Sequence, residues 1–184
     1  MVDINKLKKE LTDIPEDFIV LIETNAENAF NVAMNALKIL SEKNDNAIIV
    51  SANRPYVNLK TNYQRNNIDI NKMHILDLIS KNQNADVPAE NVMFMQNASS
   101  LTDISLSLNN YIKKLNGKKF IFIDSLNTML IHNDPYVFAR FMHSIMTRMR
   151  INSVGGILIS LTDKTNKEIR AEIAQLCDKV IKIN

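Results

Sequence analysis

The residue pattern predicts an α/β domain of three layers, a mainly parallel sheet flanked by helices. Short, continuous apolar runs such as 18–22 (FIVLI) and 120–123 (FIFI) have the character of strands buried on both faces. Between these runs lie stretches whose apolar residues recur at helical spacing, and the two kinds alternate repeatedly. No internal repeat, low-complexity tract or long Gly/Pro/Ser linker interrupts the alternation, so residues 1–184 are expected to form one domain.

The elements follow in order. Ile4, Leu7 and Leu11 lie at helical spacing ahead of Pro15, which predicts a short amphipathic helix over about 3–14 that caps the domain or docks a partner. Residues 18–22 are the first strand. The helix over 26–40 carries Phe30, Ala33, Met34, Leu37 and Leu40 on one face. Residues 47–51 form the next strand, and Arg54-Pro55 leads into a helix through Leu59 and Tyr63. Strands at 74–78 and 92–95 are separated by the polar stretch 81–86 and Pro88. Ile104, Leu108, Ile112 and Leu115 mark a helix over 101–115, which Gly117 stops. A strand at 119–124 comes next. Asp134-Pro135 then opens a helix rich in methionine, with Phe138, Phe141, Met142, Ile145, Met146 and Met149 expected to pack in the core. A strand at 155–161, a helix at 165–177 and a strand at 179–183 complete the chain.

Composition narrows the function classes. With 46% hydrophobic and 23% charged residues the chain is an ordinary globular sequence, and a domain of its length buries about 70% of its unfolded surface without staples. Its apolar runs are strand-sized, far short of the ~18 to 20 residues that span a bilayer. The N-terminus mixes charges from its third residue and lacks the apolar core of a secretory signal, so a cytoplasmic location is expected. Cys177 has no second cysteine to pair with, and His74, His132 and His143 show no metal-ligand spacing, so no metal site is expected. A net charge of +2 does not supply the basic face of a dedicated nucleic-acid binder. Arg140, Arg148 and Arg150, with Lys164 and Lys167, are taken as a solvated face.

The segment 120–126, an apolar strand ending in Asp124-Ser125, resembles the Walker B strand of RecA-superfamily proteins, especially the KaiC-like branch. The strand 156–162 resembles that family's next strand, and 173–183, with Asp178 ahead of the last strand, resembles its closing segment. The three patterns come in the family's order, and the resemblance runs from about Phe18 to the C-terminus. It implies a RecA-like domain of the P-loop NTPase type. An unrelated doubly wound domain of the flavodoxin or receiver type is the competing fold, since an aspartate after a buried strand is common to all of them.

By that resemblance a working member carries G-x-x-x-x-G-K-[ST] after its first strand, where backbone and lysine hold the phosphates and the hydroxyl holds Mg²⁺. The matching stretch here puts Glu23 and Asn28 at the glycines, Ala29 at the lysine and Phe30 at the hydroxyl. No register shift restores the motif, because the chain's glycines are Gly117, Gly155 and Gly156 and no lysine lies between Glu16 and Lys38. Thr24 and Glu27 have the spacing of a capping box that would close the helix start. Glu23 and Glu27 would also repel a triphosphate, like charges ~4 Å apart costing about 4 kcal/mol at an effective dielectric near 20. The place after the second strand, where the family has acidic residues that activate water, reads Ser51-Ala-Asn53-Arg54-Pro55. The resemblance assigns Asp124 to Mg²⁺, whereas its position alone favours a structural carboxylate accepting backbone N–H bonds from the next loop, with Ser125 bonding locally.

The expected protein is a catalytically inactive, cofactor-free RecA/KaiC-like domain without a catalytic residue. It would act as a regulatory or assembly subunit on a protein partner, either an active paralogue or a second copy. Two other functions stand beside it: a nucleotide-sensing or active ATPase with an altered phosphate loop, and a nucleic-acid-binding relic of the recombinases.

Overall fold

The structure, a computed structural model, describes residues 4–162 and 166–183. Seven strands form one sheet: β1 (Ile19–Thr24), β2 (Asn46–Ser51), β3 (Met73–Asp77), β4 (Val92–Phe94), β5 (Lys119–Asp124), β6 (Gly155–Leu161) and β7 (Lys179–Ile183). Their order across the sheet is β4-β3-β2-β5-β6-β1-β7, and every neighbouring pair runs parallel. Parallel strands need crossovers, and helices supply them. These are α1 (Ile4–Thr12), α2 (Ala29–Ser41), α3 (Tyr56–Arg65), α4 (Leu101–Lys114), α5 (Leu126–Ile131), α6 (Pro135–Ile151) and α7 (Lys167–Leu176).

The apolar runs are continuous because both faces of the sheet are covered. Ile19, Leu21, Ile121, Ile123 and Leu158 pack against α4, α6 and α7. Their neighbours Val20, Ile22, Phe120, Phe122, Ile157 and Ile159 pack on the other face with Leu7 of α1, Leu37 of α2 and Tyr63 of α3. Burying one such side chain contributes about 1.5–3 kcal/mol, so both helix layers hold the sheet between them. At Gly155 a Cβ would run into the backbone carbonyl of Glu16, which fits the close approach of the segment before β1.

Most elements fall where the pattern places them. Leu7 and Leu11 are fully buried and α1 lies on α2 and β7, so this helix caps the domain from within. Met142, Met146 and Met149 are buried, which makes the methionine-rich helix α6 part of the core. Of the basic residues expected on a solvated face, two on α6 are tied down: Arg148 Nη1 donates to Ser105 Oγ at 3.0 Å, and Arg150 Nη1 donates to Asp178 Oδ1 at 3.0 Å. Asp178 also accepts the Ile19 N–H at 2.8 Å, tying the last turn to the start of β1. Helix α2 begins at Ala29, three residues after the start of the expected 26–40 span, and α5 is a short helix that the pattern does not show. Residue 3 of the expected first helix, Thr165 of the expected 165–177 helix and Lys164 of the basic group lie outside the described residues. No described helix is long and apolar enough to cross a membrane.

Candidate functional site

With all strands parallel, the ends of β1, β2, β5 and β6 open onto one edge of the sheet, where open α/β folds place their ligands. The β1–α2 junction there does not form the expected capping box. Thr24 is still a strand residue, registered with Leu161 and Ile183, and its carbonyl accepts the Thr162 N–H at 2.9 Å. Its Oγ1 is buried without a partner and Glu27 is exposed. The turn is closed one residue later, by Asn25 Oδ1 accepting the Asn28 N–H at 2.9 Å. Pairing on both sides holds Thr24 in β1, so the next residue with a side-chain oxygen closes the turn, and α2 starts behind Asn28 without a side-chain cap.

Glu23 also departs from expectation. It is buried on the α7 side of β1 and pairs with Arg170 Nε at 3.3 Å and Lys182 Nζ at 3.6 Å. Two cations therefore neutralise it, and the expected repulsion of a triphosphate falls to Glu27 alone. The alternation of side chains along β1 turns Glu23 away from α2, a direction that motif alignment does not carry.

Ala29 and Phe30 open α2, and the Phe30 ring is covered by Arg54, whose Cζ lies 4.3 Å from the ring centre. Arg54 arrives from the loop after β2, where Ser51 Oγ donates to the Arg54 carbonyl at 2.7 Å. Asp77, fully buried at the end of β3, holds the far side of that loop. Its carboxylate accepts N–H bonds from Tyr56 at 2.6 Å, Ile79 at 2.8 Å and Ser80 at 2.9 Å. Sequence reasoning missed Arg54, Ser51 and Asp77 as members of this group. A signal existed: Pro55 precedes α3 with no side-chain oxygen, so the free N–H of Tyr56 needed an acceptor from elsewhere.

Asp124 accepts from a side chain rather than from the backbone amides of the next loop. Its Oδ1 accepts Asn53 Nδ2 at 3.0 Å, and Asn53 in turn accepts the Thr128 hydroxyl. Ser125, buried, has its Oγ 3.4 Å from Thr128 Oγ1, a local bond as expected. Burial pushes the Asp124 carboxyl above the usual carboxylate range, with the Asn53 bond and the Arg54 charge pulling the other way. Asn127 braces the neighbouring strand end, accepting the Leu161 N–H at 2.7 Å. Among the described residues no group of three or more His, Cys, Asp or Glu side chains is placed to hold a metal ion.

An all-parallel sheet with helices on both faces, with Asp124-Ser125 ending the strand two places from β1, defines the RecA-like class of P-loop NTPase folds. Within that class a family model described as the KaiC ATPase matches residues 32–184, and the chain belongs to the KaiC family. Two solved structures from the archaeon Pyrococcus horikoshii share the fold. A KaiC-like protein superposes with a TM-score of 0.69 at 14% identity, covering 95% of this chain and 75% of its own. An uncharacterised protein solved in complex with an unknown peptide superposes with a TM-score of 0.69 at 13% identity, covering 97% of this chain and 82% of its own. No curated protein matches the chain.

Proposed function

We propose that this chain is a catalytically inactive KaiC-family domain, a regulatory or assembly subunit that acts by binding an active paralogue or a second copy of itself. The observation that carries the proposal is the Phe30–Arg54 contact. Phe30 stands where the family's phosphate loop has its Mg²⁺-binding hydroxyl, and Arg54 comes from the loop where the family keeps its acidic residues. The two positions are spent on each other. Asp124, the remaining element of the Walker B strand, is engaged by Asn53. The Asn28 N–H, one of the donors a phosphate would use, is taken by Asn25. The family match starting at Val32, just beyond this loop, supports the same reading.

Calorimetric titration with Mg-ATP and a hydrolysis assay test the inactive half of the proposal, with neither binding nor turnover expected; a low-micromolar Kd would overturn it. Co-purification from native extract, with light scattering of the isolated chain, tests the partner half. A KaiC-family ATPase in the eluate or a self-associated chain is expected, and a monomer recovered without either overturns it.

A further inference from the structure

The sheet has two edges, and they are treated differently. Along β7 the edge is guarded: Lys6 Nζ of α1 donates to the Lys182 carbonyl at 2.9 Å, and Lys179 Nζ pairs with the Glu10 carboxylate at 2.6 Å. Along β4 it is open. The Ile75 N–H donates to the Asn91 carbonyl and the Met95 N–H to the Asp77 carbonyl, both at 2.8 Å, so the backbone groups of 91, 93 and 95 turn toward β3. Alternation then turns the N–H and C=O groups of Val92 and Phe94 outward. Among the described residues none of these groups has a hydrogen-bond partner. An unpaired edge of this kind is a template for another strand, and folds that have no use for one usually cover it.

Concavities flank this edge on both faces of the sheet. One, about 680 Å³, lies on the α4 side with Met93, Tyr111 and Leu115 in its wall and Lys113 and Lys114 beside them. The other, about 350 Å³, lies on the α3 side with Val92, Tyr56, Ile70 and Val87. Met93 is 40% exposed and Val87 51%. Side chains of an added strand would point alternately into the two hollows, while its backbone met Val92 and Phe94. Lys113 and Lys114 are exposed and outnumber Glu90, the acid in that wall, so the first hollow favours a negative side chain.

We propose that β4 is the docking edge for an extended segment of a partner protein, which adds to the sheet as a further strand. Apolar side chains fill the hollows and an acidic one reaches Lys113 and Lys114. The inference rests on the reading that the chain works through protein contacts, and it specifies where and with what chemistry.

The test is selection of displayed random linear peptides on the full chain, followed by titration and amide exchange with the peptides selected. Expected are sequences alternating apolar residues with an acidic one, and slowed exchange at the Val92 and Phe94 amides. Val92→Pro removes an outward donor while sparing the bonds to β3, and should weaken binding by roughly tenfold or more. Lys113→Glu with Lys114→Glu, at exposed positions, should weaken it similarly and select basic peptides instead. Peptides that leave the Val92 and Phe94 amides unprotected, peptides indifferent to both variants, or no peptides at all overturn the docking edge. Those results leave the Mg-ATP titration and co-purification unaffected, so failure here is separable from failure of the proposed function.

Discussion

Arg54 sits over Phe30, its guanidinium carbon 4.3 Å from the ring centre, and so links the loop after β2 to the first turn of α2. A cation over a partly desolvated ring is worth about 0.5–2 kcal/mol. A double-mutant cycle with Phe30→Leu and Arg54→Met, followed by denaturant unfolding, should return a coupling energy in that range. A coupling indistinguishable from zero would mean that the two side chains only share space.

Asp124 should make stability depend on pH in the direction opposite to an ordinary salt-bridged carboxylate. Burial raises its folded-state pKa above the unfolded value, so the folded state holds the proton more tightly. That contribution is present in acid and is lost as pH rises through the folded pKa. Asp124→Asn, which keeps an acceptor for Asn53 without the charge, should match or exceed the wild type in Tm at neutral pH and lose the advantage in acid. A clear fall in Tm at neutral pH would show that the charge itself is needed.

The β1–α2 junction separates two neighbouring residues by experiment. Asn25→Ala removes the side chain that closes the turn and should lower stability by roughly 0.5–1.5 kcal/mol, the net worth of one hydrogen bond. Thr24→Val removes a buried hydroxyl with no partner and should raise stability by about 1 kcal/mol. Thermal unfolding of both variants checks the pair, and a loss for Thr24→Val would restore Thr24 as the cap.

Cys177 should be an inert thiol. Burial, and then the Asp178 charge, push its pKa up to about 12 against the opposing pull of Arg150. Thiolate is the reactive form, so a thiol reagent at mildly alkaline pH should label the folded chain about a hundredfold more slowly than the denatured one. Equal rates would place the sulfur in solvent.

The sequence by itself determined the layers. Residues 18–22 and 120–123 are apolar without interruption, which only a strand covered on both faces requires, and the 3.6-residue spacing in α4 and α6 marks the covering helices. The loss of the phosphate-loop residue types between Glu23 and Phe30 was equally legible, because a motif depends on which residues stand at fixed spacing. What the tertiary structure decided was direction and partnership. Pairing with β6 and β7 kept Thr24 in the sheet and left the turn before α2 to be closed by Asn25, and strand alternation carried Glu23 toward Arg170 and Lys182. Arg54 met Phe30, and Asn53 met Asp124, only because β2 lies beside β5 and its loop bends back over α2. Such contacts join residues 24 to 71 positions apart, and local propensity carries no information at that range; the order of strands in the sheet does.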